Sequence, residues 1–159
     1  MYLLDASSII HAWDNYPVEQ FPGFWTWIQE QLESDELGFP RKAYDEVKVR
    51  SPDCHAWLKD LDPHIEQVSS KILLEAARIK SLLGIQDDSY HPKGVGENDI
   101  IIVATAKICE LPLISNEGLQ GPVKVLAKRK IPAVCAMREV DVECMNILTY
   151  LKEEGGVFG

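Results

Sequence analysis

A chain of 159 residues with 46% hydrophobic side chains has the size of one domain and can bury about 68 to 70% of the surface its unfolded form exposes. Its 16 Lys and Arg against 25 Asp and Glu leave a formal charge of -9, which argues against a protein that grips nucleic acid through a broad basic surface. No run of about 18 apolar residues marks a membrane span, no basic-then-apolar leader opens the sequence, and Cys54, Cys109, Cys135 and Cys144 lack the paired C-x-x-C spacing of zinc or redox sites.

Met1 to Leu4 is a short apolar run ending at Asp5, and Ser7 or Ser8 is suited to cap a helix through Ile9, Ile10 and Trp13. Phe21 to Glu33 places Phe21, Phe24, Trp25, Ile28 and Leu32 close to the spacing of one helix face. After a brief apolar piece, Leu37 to Pro40, a helix is expected over Arg41 to Val49, and it carries Glu46. Ser51-Pro52-Asp53 restarts a helix with Ala56, Trp57 and Leu61, and Val68 to Leu83 reads as a longer helix ended by Gly84.

From Gln86 to Asn98 the sequence combines Gly, Pro, Asp and Asn without periodicity, which predicts a mobile surface loop. Asn98 is suited to cap a helix over Asp99 to Cys109 that is apolar on most sides and therefore buried against a sheet. Leu111 to Ile114 predicts a strand that runs into Ser115-Asn116-Glu117-Gly118. Val123 to Leu126, or alternatively Ala133 to Ala136, adds a further strand, and Val142 to Glu154 reads as a closing helix before a Gly-rich tail. The alternation predicts a single domain over residues 1–159, a three-layer α/β/α sandwich with a mainly parallel central sheet, resident in the cytosol with reduced core cysteines.

Two acids, Asp5 and Glu117, follow short apolar strands, and ligands of open parallel sheets bind outside the carboxyl ends of strands. Glu46 and Asp99 lie on helices, Asp99 in a first turn where the helix dipole favours its charge. Each acid alone has a plainer reading as a helix start, a first-turn charge, a solvated surface group or a turn residue. Carboxylates concentrated in one cleft repel each other and a polyanion until divalent cations neutralise them, which gives the acidic balance a use.

The order YLLDASSII, KAYDEV, NDIIIVATA and LPLISNEG resembles the motif order of the PIN-domain family, above all the VapC-like toxins of bacterial and archaeal toxin-antitoxin systems. Asp5 and Ser7 match the opening motif, Glu46 the second acidic segment with Asp45 as its competitor, Asp99 the third, and Asn116-Glu117 the last, where Asp is more usual than Glu. KIPAVCAMREV further along also resembles an uncharacterised PIN-like branch.

This resemblance implies a PIN-like fold and an endoribonuclease that uses Mg2+ or Mn2+, whose carboxylate-held ion supplies a nucleophile at neutral pH and neutralises charge on the phosphate. It implies Asp5 and Asp99 as principal ligands, Glu46 as a ligand or a base for water, and Glu117 as a second-site or water-mediated ligand. Ser7 and Asn116 would orient water or a carboxylate. RNA is then the substrate, with a cognate antitoxin and a homodimeric copy as expected partners. Trp13, Tyr16, Arg41, Lys42 and Lys93 are candidates for stacking and phosphate contact, with Lys128, Arg129 and Lys130 further from the motifs. Their plainer reading is helix packing or a solvated face. A haloacid-dehalogenase-like phosphatase wants a second Asp where Ser7 stands, and the acidic pair and strand-end Lys of a receiver domain are not found. A non-catalytic PIN-like interaction module is the alternative.

Overall fold

Strand β1 (Tyr2–Leu4) sends successive side chains into opposite cores, as the two-residue period of a strand requires. In the computed structural model, which describes residues 1–158, Leu3 packs with Ile102, Val103 and Leu113, whereas Leu4 packs with Ile9, Phe39 and Ile114. A strand buried on both faces belongs to a parallel sheet covered by helices on each side.

The chain continues through α1 (Ala6–Asn15), α2 (Pro22–Glu33), β2 (Leu37–Pro40), α3 (Arg41–Arg50), α4 (Pro52–Leu61), β3 (His64–Glu66) and α5 (Ser70–Leu82). Then follow α6 (Glu97–Cys109), β4 (Leu113–Ile114), α7 (Ile131–Cys135), β5 (Cys144–Met145) and α8 (Ile147–Glu153). The strands lie in the order β3-β2-β1-β4-β5 and every neighbouring pair is parallel. Residues of α5, α6 and α7 fill the core on one face, and residues of α1, α2, α4 and α8 fill the other. Helix α3 contributes to both, Ala43 to the first and Tyr44 and Val47 to the second. This is the expected three-layer α/β/α sandwich. Helix α6 is buried without a break from Ile100 to Ala106, which explains why its sequence is apolar nearly all round.

Several boundaries differ from those expected. Helix α1 starts at Ala6 with Asp5 at the cap position, so neither Ser7 nor Ser8 is the cap; Ser8 Oγ instead donates back to the Asp5 carbonyl at 2.7 Å. Helix α6 starts at Glu97 after Gly96 rather than after Asn98, because Asp99 Oδ2 accepts the Gly96 N–H at 3.0 Å and satisfies that donor one turn earlier. Neither Val123 to Leu126 nor Ala133 to Ala136 forms a strand. The first runs into a 3-10 turn at Leu126–Lys128, and Pro132 in a first turn makes the second a helix. The fifth strand comes from the segment expected to be helical, and α8 begins only where the Asn146 side chain accepts the Thr149 N–H at 2.8 Å. The half-buried edge strand β3 carried no pattern that announced it.

The loop before α6 is docked rather than free. Val95 is buried and its N–H donates to the Arg129 carbonyl at 2.9 Å, while a Cβ on Gly94 would lie 1.9 Å from the Ala127 carbonyl oxygen. All four cysteines are free thiols; Cys54 and Cys135 are buried, Cys109 and Cys144 half-buried. Among the described residues no helix is long and apolar enough to cross a membrane.

Candidate active site

The strand order reverses at β1: the chain first lays β2 on one side of it and later returns to lay β4 on the other. At such a reversal the connections diverge and leave a crevice outside the carboxyl ends of the two strands. Asp5 directly follows β1 and Ser115 directly follows β4, so both stand at this crevice.

Asp5 is only 2% exposed. Its Oδ2 accepts the Ser7 hydroxyl at 2.6 Å and the Ser115 hydroxyl at 3.0 Å. The two serine oxygens in turn accept backbone N–H groups of the following loop, Ser7 Oγ from Asn116 at 3.0 Å and Ser115 Oγ from Glu117 at 3.3 Å. Asn116 Oδ1 accepts the Ile147 N–H at 2.9 Å and so joins the loop to the start of α8. Glu117 Oε2 accepts the Ile131 N–H at 2.8 Å at the start of α7. On α3, Glu46 Oε1 accepts from Arg50 Nη1 at 3.1 Å.

Burial pushes the proton affinity of all four acids up, and the charges of Asp5 and Asp99 add to it at their neighbours. For Asp5 desolvation is opposed by the two serine hydroxyls. Glu46 is raised by burial and then by the charge of Asp5, and more weakly by Asp99, against Arg50. Asp99 is raised by burial and by Asp5 against the Gly96 N–H. Glu117 is pushed up to about 7 by burial, opposed by the Ile131 N–H and raised further by Asp99 and Asp5, with Lys130 a weaker counterweight. Asp5 and Asp99 are thus common neighbours of Glu46 and Glu117. Glu46 and Asp99 also line a cleft of about 470 Å³ together with Lys42, Asp45 and Asn98.

Among the described residues, no three His, Cys, Asp or Glu side chains stand close enough to form a closed ligand set for a metal. The donor chemistry nonetheless fits a hard divalent cation. It consists of carboxylate oxygens from four segments, with Asp5 and Asp99 repelling the others and Arg50 and Lys130 as the cations acting on them.

The other sequence candidates divide. Lys42 lines the cleft beside the acids. Trp13 does not face them; its ring packs edge-on against Trp25 at 5.3 Å and lies 5.9 Å from Trp57. Tyr16 packs against Phe21 and Phe24. Arg41 pairs with Asp45 at 3.1 Å and sits over the Tyr44 ring. Lys93 is exposed on the docked loop. Sequence reasoning did not single out Ser115, although its place directly after β4 mirrors that of Asp5 after β1.

The fold is PIN-like, with acids gathered where the sheet order reverses. The family described as Domain of unknown function (DUF4411) matches residues 2–158, and the chain belongs to that family. No curated protein matches the sequence. Among solved structures, a chain of VapBC2 from Rickettsia felis, bound to a DNA fragment from its promoter, aligns over 73% of this chain and 86% of that chain. The TM-score is 0.50 and the identity 16%, a likeness of fold alone.

Proposed function

We propose that this protein is a metal-dependent endoribonuclease that hydrolyses RNA phosphodiester bonds, acting in the cytoplasm as the toxin of a toxin-antitoxin pair. The observation that carries the reading is the electrostatic reach of Asp5 to Glu46, Asp99 and Glu117, and of Asp99 to Glu46 and Glu117, with Asp5 at the reversal of a PIN-like sheet. The fold neighbour VapBC2, a toxin-antitoxin complex, supports the toxin assignment and an antitoxin partner, with a homodimer as the expected assembly.

Asp5 and Asp99 would hold Mg2+ or Mn2+, with Glu46 and Glu117 joining directly or through water. Such an ion supplies a nucleophile from water at neutral pH and neutralises charge that builds on the phosphate. The chain's own residues then have distinct tasks. Ser7 and Ser115 occupy Oδ2 of Asp5 and fix the orientation of its carboxylate. Glu46, whose proton affinity is raised by burial and by the Asp5 charge, would accept a proton from the attacking water. Asn116 anchors the loop that carries Ser115 and Glu117.

A second reading, a non-catalytic PIN-like interaction module, is favoured by the commitment of Glu117 Oε2 to the Ile131 N–H and by the lack of a closed ligand set among the described residues. An RNA cleavage assay with Mg2+ or Mn2+, beside Asp5→Asn and Asp99→Asn, separates the two. The nuclease reading expects cleavage by wild type only with metal and none by either variant. Folded wild type that cleaves no class of RNA, and whose melting temperature ignores Mn2+, leaves the interaction module.

A further inference from the structure

Four of the 16 cationic side chains, Lys124, Lys128, Arg129 and Lys130, fall within one short segment, and no acid occurs from Gly118 to Arg138. In a chain of net charge -9 this is a local reversal of sign. The segment is held in shape from several directions. Gln120 clamps it, with Oε1 accepting the Lys130 N–H at 2.8 Å and Nε2 donating to the Lys128 carbonyl at 3.1 Å. The loop bearing Lys93 docks on it through the Val95 to Arg129 bond and through Gly94, which lies against Ala127 too closely to admit a side chain.

Its position is also defined. Glu117 Oε2 accepts the N–H of Ile131, next to Lys130, and the Lys130 charge reaches the Glu117 carboxylate. The basic segment therefore begins at the edge of the acidic crevice. Lys93, Lys124 and Lys130 are exposed and Lys128 is half-buried. Among the described residues none of the four forms an ion pair with a carboxylate. Neighbouring lysines that repel one another and have no partner gain most from a polyanion, which they bind with release of its counterions.

We propose that Lys93, Lys124, Lys128 and Lys130 form a phosphate track that receives single-stranded RNA at the Glu117 side of the crevice. The inference rests on the nuclease reading for the identity of the polyanion. An acidic protein would neutralise the same lysines, but its carboxylates would be carried towards a crevice that already gathers Asp5, Glu46, Asp99 and Glu117. Phosphates would be tolerated by the same acids once the divalent cation of the nuclease reading neutralises them. The net charge that argues against a broad nucleic-acid surface is compatible with a narrow one, because screening at physiological salt confines each charge to about 8 Å.

The test uses the full chain in the Asp5→Asn background, with Mg2+ present and a short unstructured RNA oligonucleotide followed by fluorescence anisotropy over a salt series. The combined Lys124→Gln, Lys128→Gln and Lys130→Gln variant should bind about tenfold more weakly, and its log Kd against log salt should flatten by about 2, since each single-strand phosphate contact contributes about 0.7. The matching Lys→Arg variant keeps the charge and should keep both affinity and slope, which separates lost charge from a damaged fold. Unchanged affinity and slope in the Gln variant overturn the track. So does poly-glutamate binding as tightly as RNA with the same dependence on the lysines. Cleavage by otherwise wild-type protein tells the two readings apart. If it cleaves RNA and the Gln variant does so with unchanged KM, the track fails and the nuclease stands. If it never cleaves but binds RNA through these lysines, the nuclease fails and the track stands.

Discussion

The Ser115 hydroxyl donates to Oδ2 of Asp5 at 3.0 Å and closes the gap between the ends of two neighbouring parallel strands, β4 and β1. With Ser7 it gives a buried carboxylate two donors on a single oxygen, which opposes the desolvation that raises the proton affinity of Asp5. The same two serine oxygens receive the N–H groups of Asn116 and Glu117, so the loop after β4 is built around Asp5.

Ser115→Ala should therefore destabilise the protein by about 1.5 to 3 kcal/mol at neutral pH, the usual worth of a hydrogen bond to a charged group. The loss should shrink as pH falls, because protonation of Asp5 removes the charge that the hydroxyl serves. Urea unfolding of wild type and variant at neutral and acidic pH measures it, and a loss that does not change with pH would count against a charged Asp5.

Asp5→Asn removes a buried charge that is penalised by desolvation and that raises the proton affinity of Asp99, while preserving the side-chain shape. Without divalent cations the variant should melt about 2 to 4 °C above wild type, corresponding to about 1 kcal/mol in a chain of this size. Mn2+ at about a hundredfold excess over its Kd should then raise wild type by about 2.7 kcal/mol and leave the variant nearly unmoved. The order of melting temperatures should cross, and calorimetry in chelator and in Mn2+ decides it.

Glu117 is an acid whose proton affinity is raised from 4.5 to about 7 on folding. The folded protein holds a proton that the unfolded chain releases, so this contribution is fully present below about pH 4.5 and is lost as pH rises through about 7. Asp5, Glu46 and Asp99 shift in the same direction and add to it. In chelator the melting temperature should fall between about pH 5 and pH 8. Glu117→Gln, which keeps an acceptor for the Ile131 N–H, should flatten that fall. A stability that rises over this range would contradict the raised affinity.

The layered fold was legible because β1 and α6 are apolar on more than one face and only a covered parallel sheet accommodates both. The acids at strand ends and in a first turn were legible for a similar reason, since strand and helix boundaries lie close to them in sequence. The short strands were not. Cys144–Met145 has two residues, and its place in the sheet comes from the ladder it completes beside Leu113–Ile114, which no local pattern encodes. The same holds for Trp13, whose partners Trp25 and Trp57 come from other helices. An aromatic on an amphipathic helix looks alike in sequence whether it meets a base or two indoles. The docking of Gly94 on Ala127 joins distant segments through backbone atoms alone, so side-chain patterning left the loop looking free.

That last contact yields a prediction of its own. A Cβ at Gly94 would stand 1.9 Å from the Ala127 carbonyl oxygen and 2.8 Å from its carbonyl carbon, and backbone on both sides cannot yield as a flexible side chain would. Gly94→Ala should force the loop off the basic segment and weaken the neighbouring Val95 to Arg129 bond, at about 1 to 3 kcal/mol, the range for overpacking a well-filled contact. Because Gly96 and Asp99 follow directly, the released loop should also loosen the cap of α6 that Asp99 completes. Limited proteolysis should then cut between residues 86 and 96 well before the variant unfolds globally, whereas in wild type the same bonds should be cut only as the whole chain opens. Hydrogen exchange at the Val95 amide gives the same answer independently: protection retained in Gly94→Ala would show that the loop does not depend on this close approach.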